Sequence, residues 1–314
     1  MPKTIIVTGG AGFIGSHVVD RLVGRGYVVH AVDNLSSGNR GNLHPKARLH
    51  VMDIRSDRLP TLFRRLHPAA VVHLAAHIDL RASYRTPQFD ADVNLLGGLN
   101  VIEAAGAAGA EHLTFASSAA VYGYVRRPPV AEDAPKFPSS PYGIAKLSFE
   151  HYLDFAREKY GLKATALRFA NVYGPRQTIV GEAGAVAVFI NRLLNGEVPT
   201  VNGTGRQTRD FVYVGDVADA VAASVSRQVD GTFNVSTGRQ TSINDLYRSL
   251  AVALGSGIRP QRGPAKPGDD MNLALDSALA KRKLGWRAKV DLSDGLGATV
   301  RWARLAARSG RPVR

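Results

Sequence analysis

The sequence contains no cysteine, and this absence excludes several kinds of chemistry. Without thiols the chain forms no disulfide bond, binds no metal through thiolates and offers no cysteine nucleophile. No apolar run reaches the ~18 residues that a membrane-spanning helix needs. The first residues lead directly into the apolar strand-like segment 4–7, which does not resemble a signal peptide. We therefore expect a soluble cytoplasmic protein that has no metal site and no contact with membranes.

Acidic residues are also scarce, because 26 Asp and Glu face 40 Lys and Arg and leave a formal net charge of +14. Such a charge is typical of proteins that bind nucleic acids or anionic substrates, or of a merely solvated surface. Residues 301–314 contain no acid, but they lack the regular aromatic and glycine interleaving of RNA-binding segments. We interpret them as a helix end and a solvated tail, and we expect no nucleic-acid partner.

The first 33 residues have the pattern of a dinucleotide-binding unit. The β-branched run Thr4–Thr8 predicts a buried strand, residues 16–25 have helical periodicity, and residues 27–32 predict a second strand. Between the first strand and the helix lies a glycine-rich turn with the spacing G-x-x-G-x-x-G. Flanked in this way, the turn predicts a pyrophosphate site at the N-terminus of the helix.

Within this turn the glycines have separate tasks. They allow a tight turn, close approach of the backbone to a pyrophosphate, and close packing of the helix on the strand. We predict cofactor contacts for Gly9, Gly12, Phe13, Ile14 and Gly15.

Acidic residues at the ends of the next two strands complete the predicted cofactor site. Asp33 is placed to accept hydrogen bonds from the adenosine ribose and would repel a 2′-phosphate, which favours NAD over NADP. Asn34 follows it directly and is also predicted to contact the cofactor. Asp53 and Ile54 are predicted to bracket the adenine, although Asp53 is also interpretable as a helix cap.

The alternation of strands and helices continues, which predicts a doubly wound parallel Rossmann sheet. The strand over residues 70–74 ends at Leu74, a predicted cofactor contact, and is followed by Ala75 and Ala76, whose small side chains would let the cofactor pass close to the backbone. His77 follows as a wall residue of the substrate pocket.

An apolar helix is predicted over residues 89–108. It is apolar almost all round, which predicts burial on two sides, one against the sheet and the other against a partner subunit. Asn94 is an isolated polar residue on this helix, and we assign it to the cofactor site.

A reacting centre is predicted where the next strand and helix meet. Ser117 and Ser118 end the strand that begins at residue 112, so Ser118 points into the ligand crevice and Ser117 lies beside the cofactor. Tyr142 and Lys146 are four residues apart and share one face of a helix. A phenol loses its proton near pH ~10, and a nearby ammonium favours the phenolate. Two hydroxyls and an ammonium beside a hydride carrier predict an alcohol-to-ketone site.

At these residues the chain resembles the extended short-chain dehydrogenase/reductase superfamily and, within it, the UDP-galactose 4-epimerase-like enzymes. The matching stretches follow the family order over nearly the whole chain: residues 8–15, 33–34, 73–76, 117–123, 142 with 146, 168–176 and 208–214. The resemblance implies that Ser118 hydrogen-bonds the substrate, Tyr142 is the acid/base, and Lys146 binds the ribose and tunes Tyr142. It also implies a homodimer through the helices near 89–108 and 142–160.

The two residues after Ser118 separate the subfamilies. Sugar-nucleotide 4,6-dehydratases carry a sequence like Thr-Asp-Glu at this point, and the decarboxylating synthases keep a Glu. This chain has Ala119 and Ala120 instead. Without a second carboxyl pair, oxidation at C4 can be followed only by return of the hydride. The resemblance therefore implies an NAD-dependent nucleotide-sugar 4-epimerase, most simply of UDP-glucose and UDP-galactose.

The resemblance also implies a set of substrate contacts in the second half. Asn171 and Arg209 are expected on the diphosphate, and Thr200 and Val201 along the uracil. Arg is well suited to phosphate because its guanidinium binds in a bidentate manner.

The stretch that contains Lys266 and Asp269 is expected to bind the substrate, but it departs from the family, since relatives have an Arg that clamps the diphosphate where Lys266 stands. Lys266 keeps the positive charge and loses the guanidinium fork, so we expect its contact to survive in weaker form or Arg262 to compensate. Leu273 occupies the position that shapes the sugar pocket, where Tyr accompanies plain hexoses and small residues accompany N-acetylated sugars.

These observations predict an NAD-binding domain over residues 1–170, with a returning segment near 211–236, and a smaller C-terminal α/β domain over 171–314 that mainly binds the nucleotide sugar. Several alternatives stay open at this point. One alternative is a 4-epimerase of another nucleotide sugar, such as a UDP-N-acetylhexosamine, UDP-glucuronate or a dTDP sugar. A second alternative is a 4-keto-sugar reductase. A third alternative is a protein without enzymatic activity that senses NAD or binds nucleic acid.

Overall fold

A computed structural model of the protein describes residues 2–178, 184–265 and 272–308. The strands in these ranges are β1 Thr4–Thr8, β2 Val28–Asp33, β3 Arg48–Val51, β4 Ala70–His73, β5 His112–Ser118, β6 Lys163–Phe169, β7 Asn171–Tyr173, β8 Thr200–Asn202, β9 Thr208–Arg209, β10 Phe211–Tyr213, β11 Gly231–Val235, β12 Thr241–Ser242 and β13 Gln261–Gly263.

The helices in the same ranges are α1 Phe13–Gly24, α2 Leu59–Leu66, α3 Leu80–Arg85, α4 Pro87–Ala91, α5 Gly97–Ala107, α6 Pro141–Tyr160, α7 Ala185–Leu194, α8 Val214–Arg227, α9 Ile243–Leu254, α10 Ala278–Leu284 and α11 Leu292–Arg308. None of these described helices has both the length and the apolar character that crossing a bilayer requires.

Seven parallel strands form the central sheet in the order β11-β6-β5-β4-β1-β2-β3, which confirms the predicted doubly wound fold. The strands are rich in Val, Ile and Ala because both faces of the sheet are covered. On one face α1, α8 and α10 enclose a core that includes Val18, Val221 and Leu284. On the other face α2, α5 and α6 enclose Phe63, Ile102 and Phe149.

The strand order reverses between β1 and β4, and this position is the topological switch point of the sheet. The glycine-rich turn follows β1, and the small residues Ala75 and Ala76 follow β4. Ligands of open α/β sheets bind in the crevice at such a point, outside the carboxyl ends of the strands. The topology therefore brings the two predicted cofactor loops together.

The second half of the chain packs a smaller unit on the carboxyl edge of the sheet. Its core lies between α7, α9 and α11 and includes Phe189, Leu250 and Val300. Strand β11, from the predicted returning segment, pairs with β6 and completes the edge of the main sheet. The domain boundary near residue 170 stays a prediction.

The helix predicted over residues 89–108 differs from expectation in its bounds and its continuity. Helix α4 and helix α5 are joined by a π-helical segment, Asp92–Leu96, so the helical region begins at Pro87. Phe89 and Leu96 are 47% and 58% exposed, so the chain itself does not bury the second side of this region. The apolar residues of this region therefore form part of the core on one side and an exposed apolar surface on the other, which is the side predicted to face a partner subunit.

Candidate active site

The first turn of α6 places Tyr142 and Lys146 on one face. Pro141 occupies the first helical position, where its missing N–H costs nothing, and the Ser140 hydroxyl caps the turn by accepting a hydrogen bond from the Gly143 N–H at 3.1 Å. The Lys146 Nζ lies 5.6 Å from the centre of the Tyr142 ring. The predicted stacking of these two side chains is therefore present.

Lys146 is buried, with only 3% of its surface exposed. Its Nζ donates a hydrogen bond to the Ala116 carbonyl at 2.9 Å and lies 4.7 Å from the centre of the Phe115 ring. Burial lowers the pKa of the Lys146 ammonium to about 8, and the Asp90 and Glu150 carboxylates oppose part of that shift. Lys146 is thus a pre-positioned ammonium whose charge depends on two buried acids.

Ser118 ends β5 at the same edge of the sheet. Its Oγ accepts a hydrogen bond from the Ala120 N–H at 3.1 Å, which leaves the hydroxyl hydrogen for another acceptor. Ala119 is buried in a cluster with Tyr122, Leu273 and Leu275. Leu273 therefore shares a buried cluster with the turn that follows Ser118, and its role in the sugar pocket stays a prediction.

The glycine-rich turn fits a pyrophosphate at the start of α1. Gly9 has φ +69°, and a Cβ there would lie 2.7 Å from the Ala75 nitrogen, while a Cβ on Gly15 would lie 1.9 Å from the Gly9 oxygen. Helix α1 begins at Phe13 after Gly12, which has no side chain to cap the first amides. Those amides are free to bind an anion.

Asp33 has a structural contact that the sequence did not predict. Its Oδ2 accepts a hydrogen bond from the Ala11 N–H at 2.9 Å, and its Oδ1 accepts one from the Leu35 N–H at 2.8 Å. The carboxylate therefore braces the glycine-rich turn against the end of β2. Since a carboxylate offers about four acceptor sites, capacity for ribose hydroxyls remains.

The acid at the next strand end is heavily engaged. Asp53 accepts hydrogen bonds from the Arg55 guanidinium and from the Asn34 amide, each at 2.9 Å, and the Arg55 bonds hold the pKa of the Asp53 carboxyl well below its usual range. Ile54 is buried in the core and packs closely against Gly97. Contacts of Asp53 and Ile54 with adenine, and of Asn34 with the cofactor, stay predictions.

Asn94 fastens the loop that follows β4. Its Oδ1 accepts from the His77 N–H at 2.8 Å, and its Nδ2 donates to the His77 carbonyl at 2.9 Å and to Asp90 Oδ1 at 3.0 Å. Asp90 is fully buried and also bonds His77 Nδ1 at 3.2 Å. Asn94 therefore holds the loop of Leu74, Ala75, Ala76 and His77, and direct contact with the cofactor stays a prediction.

A buried ion pair lies behind the reacting centre, and no local sequence pattern indicates it. Arg168 on β6 binds both carboxylate oxygens of Glu150 on α6, and Ser117 donates its hydroxyl hydrogen to the same carboxylate. Ser117 alternates with Ser118 on β5, so its side chain faces this ion pair. The predicted contact of Ser117 with the cofactor would therefore have to involve its backbone, and it stays a prediction.

A cavity of about 210 Å³ lies at the carboxyl edge, where the substrate was predicted. Asn171, Arg209 and the first residues of α7 line it, and Gly184 supplies no side chain to cap that helix. A guanidinium, an amide and free helix N–H groups form a site suited to a diphosphate.

The two residues predicted along the uracil, Thr200 and Val201, do not line this cavity. Val201 is fully buried in the second core, and Thr200 accepts a hydrogen bond from Gln261 at 2.9 Å. Lys266 and Asp269 lie outside the described residues. The contacts assigned to these four residues stay predictions.

The chain is similar to known epimerases along almost its whole length. The model of the NAD dependent epimerase/dehydratase family matches residues 5–236. A UDP-glucose 4-epimerase from Mycolicibacterium smegmatis is 40% identical over 306 residues, which cover 95% of this chain and 98% of that protein.

Solved structures agree with this similarity. The UDP-glucose 4-epimerase from Thermotoga maritima, solved with UDP-glucose, superimposes with a TM-score of 0.94 and 43% identity over 97% of this chain and 99% of that chain. The UDP-N-acetylglucosamine 4-epimerase from Methanobrevibacter ruminantium, in complex with UDP-N-acetylmuramic acid, gives a TM-score of 0.92 and 34% identity over 97% and 99% of the two chains.

Proposed function

Because the chain belongs to the NAD-dependent epimerase/dehydratase family, we propose that it is a UDP-glucose 4-epimerase that interconverts UDP-glucose and UDP-galactose. NAD is its cofactor. One observation supports the reaction above the others: Lys146 lies beside Tyr142 and bonds the Ala116 carbonyl of β5, the strand that ends at Ser118, and Ala119 and Ala120 follow Ser118 without a carboxyl group.

Tyr142 removes the proton from the C4 hydroxyl of the sugar, and Ser118 donates a hydrogen bond to the same oxygen. Lys146 holds the ribose and stabilises the phenolate of Tyr142 through its positive charge. The glycine-rich turn and Asp33 would hold NAD, which would supply a reversible hydride acceptor for C4. After the 4-keto sugar rotates, hydride return would reach the opposite face of C4, which inverts the configuration there, and Tyr142 returns the proton to the C4 oxygen.

The substrate's diphosphate anchors the molecule during this rotation. Arg209, Asn171 and the N-terminus of α7 line the cavity in which we place it. Since Ala119 and Ala120 have no acid or base for elimination, the keto intermediate has no other exit than re-reduction.

The test is incubation of the purified protein with UDP-glucose, followed by chromatographic separation of UDP-galactose. UDP-N-acetylglucosamine, UDP-glucuronate and dTDP-glucose are run in parallel, since a similar structure is that of a UDP-N-acetylglucosamine 4-epimerase. If the protein epimerised none of the four nucleotide sugars, the proposal would be refuted. Net consumption of added NADH with a 4-keto sugar would favour the reductase alternative.

The exposed apolar side chains on two helices support a homodimer. Phe89 and Leu96 lie on the 87–107 helical region, and Ile144, Tyr152 and Phe155 lie on α6. A second copy of the chain is the occupant that we propose for this surface. Light scattering should give the mass of a dimer, and Phe155→Glu should shift the measured mass towards that of the monomer. A monomeric wild-type protein would contradict the proposed dimer.

Cytoplasmic location stays a prediction of the sequence.

A further inference from the structure

Gln177 has a buried hydrogen-bond acceptor that the mechanism above does not use. Its Nε2 donates to the Val172 carbonyl at 3.2 Å, which fixes the orientation of the side-chain amide. Its Oε1 is buried and accepts no hydrogen bond from any residue that the structure describes. Gln177 lines the 210 Å³ cavity together with Asn171 and Arg209. A buried acceptor without a donor is costly, so the ligand is the natural source of one.

The loop that contains Gln177 is attached to the cofactor-binding helix. His17 on α1 bonds through Nε2 to the Pro175 carbonyl at 2.9 Å, and Asp20 on α1 pairs with Arg176 at 2.8 Å. Because α1 begins at the glycine-rich turn, these contacts place Gln177 on the cofactor side of the cavity. Its position is therefore fixed by the same helix that is predicted to hold the pyrophosphate.

The two ends of the cavity can be told apart. Gln177 bonds to Val172, which follows Asn171, and Asn171 lies two residues beyond Phe169, the register partner of Ser118. Gln177 thus belongs to the end that faces the reacting centre. At the other end Gln207 donates to the Asn202 carbonyl of β8, next to the residues predicted along the uracil.

The chemistry of the ligand then selects its partner. A diphosphate presents only acceptors, so it cannot satisfy Oε1, whereas a hexosyl group presents several hydroxyl donors. We propose that Gln177 is a substrate-binding residue whose Oε1 accepts a hydrogen bond from a hydroxyl of the hexosyl group. This assignment rests on the proposed function, because it takes the hexose to lie at the Ser118 end.

Gln207 provides a matched control for Gln177. Both glutamines line the same cavity, and each donates its side-chain amide to the carbonyl of the residue five positions earlier at 3.2 Å. Only Gln177 has the buried, unsatisfied Oε1. The variants Gln177→Met and Gln207→Met therefore each remove one side-chain amide bond to a backbone carbonyl, but only Gln177→Met also removes a buried, unsatisfied acceptor.

The experiment measures binding of UDP-glucose and of UDP to the NAD-loaded variants by titration calorimetry. We expect Gln177→Met to weaken UDP-glucose about tenfold while UDP binds as in the wild type, since UDP lacks the hexose. Gln207→Met should leave the ratio of the two affinities unchanged. Gln177→Glu, which keeps an acceptor, should retain more of that ratio than Gln177→Met.

Equal weakening of UDP and UDP-glucose by Gln177→Met would place the acceptor on the nucleoside diphosphate and overturn the proposal. Unchanged affinity for both ligands would also overturn it. Failure of the proposed function is recognised separately, because the wild-type protein would then not convert UDP-glucose into UDP-galactose. Thermal melts of each variant establish that the compared proteins are folded.

Discussion

Glu150 and Arg168 form a buried bidentate ion pair directly behind the reacting residues. The Arg168 Nε and Nη2 atoms lie 2.9 Å and 2.6 Å from the two carboxylate oxygens, and both side chains are less than 10% exposed. Arg168 also donates to the Tyr122 hydroxyl at 2.8 Å. Since Glu150 lies one helical turn after Lys146, the pair ties α6 to β6 at the level of the active site.

Breaking this pair should destabilise the fold. Arg168→Met leaves the Glu150 carboxylate buried without its partner, so we expect the free energy of unfolding to fall by about 3–5 kcal/mol. Guanidinium denaturation measures the change. The double variant Glu150→Gln/Arg168→Met removes both charges and should recover a large part of the loss; equal instability of the single and double variants would contradict the argument.

Tyr142→Phe should abolish turnover and leave the cofactor bound. The variant removes the proton shuttle and keeps the ring, so we expect kcat to fall about 10²–10⁴-fold. Bound NAD is measured after denaturation of the purified protein. Tyr84→Phe is the matched control, because the Tyr84 hydroxyl bonds the Ser139 carbonyl beside the start of α6. Full activity of Tyr142→Phe would refute its assigned role.

The activity should decline in alkaline solution because of Lys146. Its pKa is lowered to about 8, so the ammonium loses its proton as the pH rises through that value. We expect kcat/KM to fall above about pH 8. Asp90→Asn removes a carboxylate that raises the pKa of Lys146, and it should move this alkaline limb to lower pH. Identical pH profiles for the two proteins would show that Asp90 does not act on Lys146.

Leu273→Tyr should narrow the range of accepted sugars. Leu273 is buried beside Ala119, so a larger side chain there reduces the space next to the reacting centre. We expect the ratio of kcat/KM for UDP-N-acetylglucosamine to that for UDP-glucose to fall roughly tenfold. Leu273→Met, which conserves volume, should leave the ratio nearly unchanged. An unaltered ratio in the Tyr variant would mean that Leu273 does not shape the pocket.

Gly15→Ala should prevent binding of NAD. A Cβ at this position would lie 1.9 Å from the Gly9 oxygen, so helix α1 would have to move away from the glycine-rich turn. We expect the purified variant to lack nucleotide and to unfold at lower temperature. Gly24→Ala, at the other end of α1 with no neighbour within 4 Å of its Cβ, should retain NAD. A nucleotide-loaded Gly15→Ala protein would contradict this.

The features that the sequence revealed are those encoded in short stretches. The turn from β1 to α1, the spacing of Tyr142 and Lys146, and Ser118 at a strand end are all local patterns, so periodicity and glycine spacing were sufficient. The position of Asp90 beside Lys146 was not predictable, because it depends on how α4 packs against α6. The pairing of Glu150 with Arg168 joins two elements in the same way.

Other residues were recognised but their surroundings were not. Asp33 was predicted as a ribose ligand from its place at the end of β2, yet its bonds to Ala11 and Leu35 follow from how the turn folds back. Asn94 was noticed as a polar residue in an apolar helix. Its bonds to the His77 backbone require the loop after β4, which the sequence of the helix does not specify.

The position of β11 has a consequence for synthesis on the ribosome. This strand covers the edge of β6, and Trp286 and Leu284 fill the same core as α1, so the nucleotide-binding half is completed by residues translated late. At ~5–20 residues per second, β11 emerges roughly ten to forty seconds after β1. Until then the nascent chain exposes an unpaired edge of β6, a template for pairing with other chains. Truncation before residue 231 should therefore yield aggregates rather than a small NAD-binding domain.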